Sequence, residues 1–192
     1  MENKKNILIV VDMQNDFVSG SLGSSDAVKI LGNIRSKIKS YDSDDNGVII
    51  FTRDTHSRNY LNTLEGRKLP VEHCIYNTKG WEIVDELNAP LEKTKKCIVD
   101  KGSFGFPEWE RELSYMGLTS NNISGIELCG VCTDICVISN ALILKALYPE
   151  TEISVDATCC AGTSVDAHFA ALSVMENCTS KYTKDKIYFD KK

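Results

Sequence analysis

Three features of the sequence predict a three-layer α/β fold, a parallel β-sheet flanked by helices on both faces. Strand-like and helix-like segments alternate along the chain. The strand-like segments are short, β-branched and nearly continuous in apolar residues, and no repeat, linker or second core interrupts them. Asn6–Asp12, Val48–Thr52, Cys97–Asp100, Ile123–Cys129 and Glu152–Val155 supply the strands. After Ser24 and Ser25, the residues Ala27, Ile30, Leu31, Ile34 and Ile38 follow helical spacing, and Asp44–Gly47 provides the stop. Further helices are predicted over Pro107–Met116, about Thr133–Leu147 and Ser164–Cys178. The chain reads as a single domain over residues 1–192.

Composition narrows the function. With 42% apolar residues the chain can bury one substantial core, and a formal charge of −5 offers no basic surface to a phosphate backbone. The lysines are scattered, apart from Lys93, Lys95 and Lys96. Nucleic acid is therefore excluded as the expected partner. The apolar run after Met-Glu-Asn-Lys-Lys is too short for a signal segment, and no run approaches the ~20 residues of a membrane span. A cytoplasmic protein without a membrane partner is expected. The eight cysteines are about 4% of the chain, below the ~8–10% of disulfide scaffolds, so a reducing compartment would keep them as thiols.

Parallel sheets place their sites beyond the carboxyl ends of the strands. There the sequence sets Asp12 after the first strand, Asp54 after the second, Lys101 after the third and a cysteine-rich turn after the fourth. In that turn, G-V-C-T-D-I-C-V, Cys132 and Cys136 follow Cys129 with no histidine or second cysteine pair close by, which speaks against a four-ligand zinc knuckle. A cysteine entering a helix sits at the positive end of the helix dipole, which lowers its pKa, and the same N–H groups could hold an oxyanion. Cys136 fits that role if the helix begins near Thr133, with Thr133 or Asp134 capping it. The plain alternative is a cysteine serving as a small core hydrophobe. A second constellation follows the second strand: Asp54 and His56, then Glu65 and His73, include two of the chain's three histidines. Two imidazoles and two carboxylates suit a divalent first-row metal, whereas the alternative is a solvated polar loop.

The stretches V-V-D-M-Q-N-D-F, D-T-H…E-G…L-P-V-E-H-C, K-G-S-F-G and G-V-C-T-D-I-C-V together resemble the isochorismatase-like cysteine hydrolases, and among them the nicotinamidases, from about Asn6 to Cys178. The resemblance implies a catalytic triad of Asp12, Lys101 and Cys136, and an oxyanion hole from the amides of Cys132 and Cys136 beside a cis Val131–Cys132 peptide. It implies one divalent metal ion, zinc foremost with iron or manganese as alternatives, held by Asp54, His56, Glu65 and His73. Many relatives place a third histidine where Asn62 stands, and Glu65 takes that role in the subgroup this sequence resembles. Phe17 and Phe104 correspond to aromatic walls around a flat ring. The implied reaction is hydrolysis of nicotinamide to nicotinate and ammonia through a Cys136 thioester, within NAD salvage, with pyrazinamide as a second substrate and a homo-oligomeric protein. Two alternatives remain at this point: another amidohydrolase acting on a carbamoyl or ureido group, and a catalytically silent binding module. Asp54, His56 and His73 disfavour the first, and the intact Asp12, Lys101 and Cys136 set disfavours the second. Cys159 and Cys160 have no assigned role.

Overall fold

The computed structural model describes residues 4–178 and 181–182. Its sheet contains β1 (Lys5–Val11), β2 (Gly47–Asp54), β3 (Lys96–Lys101), β4 (Ile123–Val131), β5 (Glu152–Ala161) and β6 (Lys181–Tyr182), in the order β3-β2-β1-β4-β5-β6. Every pairing is parallel. The five predicted strands are present, β5 runs on to Ala161, and β6 adds an edge that the sequence pattern did not announce. The helices are α1 (Asn15–Val18), α2 (Ser25–Lys29), α3 (Leu31–Ser43), α4 (Leu64–Lys68), α5 (Trp109–Tyr115), α6 (Ile138–Leu147) and α7 (Val165–Cys178).

The single helix predicted from Ala27 to Ile38 is divided at Ile30 into α2 and α3. Ser24 caps the first piece, its hydroxyl accepting from the Ala27 amide at 3.1 Å. The apolar face nevertheless lies where the spacing put it, with Ala27, Ile30, Ile34 and Ile38 buried. The helix predicted from Thr133 begins instead as a π-helical turn, Thr133–Val137, and becomes α-helical only in α6. The polar segment after β2, read as a loop, contains a 3₁₀ turn at Tyr60–Asn62 and then α4, whose N-terminus Thr63 caps.

Chain direction explains the layers. From β1 the chain steps to β2 and β3 on one side, then returns to β4, β5 and β6 on the other. Right-handed crossovers made in opposite directions put their helices on opposite faces, so α3 covers one face and α5, α6 and α7 the other. Strand β1, with Ile7 to Val11 fully buried, lies at the centre, where each such side chain contributes about 1.5–3 kcal/mol by leaving water. The reversal falls between β1 and β4, which opens a crevice beyond their carboxyl ends. Gly130 closes the two strands together there. A Cβ at this residue would lie 2.1 Å from the Val11 carbonyl oxygen, and its φ of +114° is one that only glycine adopts readily.

Candidate active site

Asp12, Lys101 and Cys136 meet in this crevice. Asp12 directly follows β1 with φ at 51°, a left-handed conformation uncommon for a non-glycine residue and more readily tolerated by aspartate and asparagine than by most others. Lys101 ends β3, two strands away, and extends its ammonium to the Asp12 carboxylate at 2.7 Å, both side chains being fully buried. The same ammonium lies 3.6 Å from Cys136 Sγ, 3.5 Å from Asp54 Oδ1 and 3.2 Å from the Ser103 carbonyl. Thr52 fixes the other side of the aspartate: its hydroxyl donates to Asp12 Oδ1 at 2.6 Å and accepts from the Asp12 amide at 3.1 Å.

Burial raises the proton affinity of the Asp12 carboxyl, Lys101 opposing it and Asp54 adding to it. For Lys101 burial works against the charge, yet Asp12, Cys136 and Asp54 together hold the ammonium protonated. Burial pushes the Cys136 thiol well up, with Asp12 adding to the rise and Lys101 opposing it. Burial and the Asp12 charge thus favour the neutral thiol at Cys136, opposite in direction to the effect expected from the helix dipole. The expected caps differ as well. The Thr133 hydroxyl faces His168 Nδ1 at 2.8 Å, and the Asp134 carboxylate accepts from the Thr163 amide at 2.8 Å, so the first ties the turn to α7 and the second to the β5–α7 connection.

Next to this cluster, Asp54, His56 and His73 bring three donor atoms within 4.8 Å of one another, the one such metal-type group among the described residues. His56 Nε2 stands 2.9 Å and His73 Nε2 3.6 Å from Asp54 Oδ2. His73 Nδ1 donates to the Val71 carbonyl at 2.8 Å, which turns Nε2 toward the trio, the orientation a metal-ligating imidazole needs. Asp54 stays ionised in spite of burial because His56, His73 and Lys101 surround it. Glu65, on α4, sits at the edge of the group, with Oε1 3.7 Å from His56 Nε2.

A cavity of about 440 Å³ opens onto both clusters, lined by Phe17, Phe104, Asp54, Leu69, Cys132 and Cys136 among others. Phe17 packs against His73 at 5.5 Å between ring centroids. The Val131–Cys132 peptide is cis, as the resemblance implied. A wider cleft of about 770 Å³ lies at the amino-terminal end of the strands, where Lys93 is paired with Asp45 at 3.0 Å and no nucleophile faces a base.

Residues 6–185 match the isochorismatase domain. The chain belongs to the isochorismatase family. It is 27% identical over 188 residues to the nicotinamidase of Saccharomyces cerevisiae, covering 79% of this chain and 86% of that one. Among solved structures, the pyrazinamidase of Pyrococcus horikoshii in complex with zinc is 26% identical with a TM-score of 0.75, covering 93% of this chain and 98% of that one. An isochorismatase-like hydrolase from Alkaliphilus metalliredigens shares the fold at a TM-score of 0.78 and 22% identity, covering 93% and 94% of the two chains.

On this isochorismatase fold several buried residues that the sequence reading passed over support the site. Gln14 is fully buried. It donates to the carbonyls of Asp54 and Trp81 at 2.9 and 2.8 Å and accepts from the Asp54 amide at 2.7 Å. Asp16 Oδ2 accepts from the Cys74 amide at 2.8 Å, directly beside His73. Both lie in the quoted V-V-D-M-Q-N-D-F stretch, but a polar residue after a strand carries no local sign that its partners are 40 and 58 positions away. Cys129, Cys159 and Cys160 are buried free thiols in the core strands, and all eight cysteines are unbridged.

Proposed function

We propose that this chain is a nicotinamidase, a cysteine hydrolase that converts nicotinamide to nicotinate and ammonia and takes pyrazinamide as well. The observation that carries the reading is a single cavity serving two groups: a thiol paired with a buried acid–base couple, and an Asp-His-His trio fit for a metal. The names of the yeast and archaeal relatives support it.

Cys136 Sγ attacks the carboxamide carbon while its proton passes to Asp12, whose raised proton affinity makes it a better base than an ordinary carboxylate. The amides of Cys132 and Cys136 receive the developing oxyanion. Asp12 returns the proton to the departing nitrogen, the C–N bond breaks, and ammonia leaves a Cys136 thioester. Asp12 then takes a proton from water as its oxygen attacks, the C–S bond breaks, and the proton returns to the thiolate. Lys101 keeps its charge throughout and holds Asp12 in place. Phe17 and Phe104 flank the ring. Asp54, His56, Glu65 and His73 would hold one divalent ion, zinc or its neighbours iron and manganese, whose chemistry there is to bind the ring nitrogen and draw electrons from the ring. A carbamoyl or ureido substrate has no use for that trio.

This activity would sit on one domain of a cytoplasmic homo-oligomer and feed NAD salvage. Eight free thiols fit a reducing compartment, and no helix among the described residues is long and apolar enough to cross a membrane.

Ammonia release by the zinc-loaded protein tests the substrate. Nicotinamide should be hydrolysed readily, and benzamide, which lacks the ring nitrogen, far more slowly. Equal rates on the two amides would remove the trio from substrate binding. Glu65→Gln should weaken zinc binding about 10–100-fold in chelator competition, the range for groups that support a metal shell. An unchanged zinc Kd would place Glu65 outside it.

A further inference from the structure

We infer that Asn140 is a positioning residue that locks the Phe104 wall of the pocket to the nucleophile turn. Its place in the binding of a flat aromatic amide rests on the function proposed above. Asn140 lies one helical turn beyond Cys136 and is fully buried, a costly position for an amide unless every polar atom is used. Here all are. Its Nδ2 donates to the Cys136 carbonyl at 2.8 Å and to the Phe104 carbonyl at 3.1 Å. Its Oδ1 accepts from the Phe106 amide at 3.0 Å and from Trp109 Nε1 at 2.8 Å. One side chain therefore joins the residue carrying the nucleophile, the residue forming the ring wall, and the first turn of α5.

The surrounding loop depends on that joint. Phe104 is 47% exposed, so little apolar packing of its own holds it against the pocket. The following residue, Gly105, runs so close to α6 that a Cβ there would lie 2.5 Å from Ile143 Cδ1. The loop also supplies the Ser103 carbonyl that accepts from Lys101. With the Asn140 joint cut, the catalytic cluster keeps its shorter bonds through Asp12 and Thr52, while Phe104 loses its tether. The residue thus acts through Phe104, without touching substrate.

A labelling cycle tests this independently of turnover. Cys136 is alkylated with iodoacetamide and with N-benzyl iodoacetamide, and the ratio of the two rates reports the aromatic wall. The cycle compares wild type, Phe104→Ala, Asn140→Asp and the double variant. Asn140→Asp is nearly isosteric and removes the two donated bonds while leaving both acceptors, and Asn140→Ala provides a second probe without added charge. We expect the ratio of aryl to small reagent to fall about tenfold in Phe104→Ala and similarly in each Asn140 variant, with no further fall in the double variant, as coupled residues behave. The KM for nicotinamide should rise in parallel, with zinc binding unchanged. An unchanged ratio in both Asn140 variants, a fall that adds to that of Phe104→Ala, or loss of folded structure in both Asn140 variants would overturn the inference. Failure of the wild type to hydrolyse nicotinamide, with the cycle as expected, would instead overturn the proposed substrate and leave the role of Asn140 standing.

Discussion

Cys136→Ala lowers kcat for nicotinamide by about 10⁴- to 10⁶-fold, the range found when a covalent nucleophile is removed from an acid–base unit. The size of the loss follows from geometry. Asp12 and Lys101 remain paired at 2.7 Å but have no thiol to activate, and only the oxyanion donors and substrate positioning are left. Zinc binding is retained, because Cys136 is not one of the trio that gathers Asp54, His56 and His73. Steady-state kinetics beside a zinc titration check both halves. A Cys136→Ala protein that keeps a tenth of its activity would require a different nucleophile, and none of the other cysteines lies against Lys101 in the way Cys136 does.

Asp12→Asn is the second large effect. Asparagine tolerates the left-handed backbone at this position and keeps the shape of the side chain, so the strand end is undisturbed. It cannot take the thiol proton, and kcat should fall about 10²–10⁴-fold, as when a positioned general base is lost. Stability should fall too. The Lys101 ammonium is left buried with the Asp54 carboxylate 3.5 Å away and the Ser103 carbonyl as its remaining acceptors. Breaking a buried pair costs about 3–5 kcal/mol, and the remaining acceptors should hold the loss to the lower end. Denaturant unfolding gives that value, and kinetics on the same preparation separate it from catalysis. A variant as stable as the wild type would mean that the Asp12–Lys101 pair is neutral to folding.

Why so much of the site could be read from the chain is a matter of topology. In a parallel sheet the residue ending each strand arrives at the same edge, so Asp12, Asp54 and Lys101 could be placed together before any coordinates. Cys136 was legible because the turn after the fourth strand enters that same crevice. Asn140 and Gln14 were not, because each is an ordinary polar residue until the fold brings backbone from 34–67 positions away onto its amide. The direction of the pull on the Cys136 thiol was hidden for a related reason. A helix start is local and visible in sequence, whereas the burial and the Asp12 charge that push the thiol's pKa up belong to the assembled core. The capping roles expected of Thr133 and Asp134 fell to the same cause, since their partners His168 and Thr163 come from beyond β5. Strand β6 consists of two residues, too short to show a periodicity.

The claim on which the rest depends is that Cys136 carries the acyl group. Acid quenching during steady-state turnover of nicotinamide, followed by proteolysis and mass spectrometry of the cysteine-containing peptides, tests it most directly. The predicted result is a nicotinoyl group on the peptide containing Cys136 alone, absent from Cys136→Ala. Turnover with a nicotinoyl group on any other cysteine would contradict it.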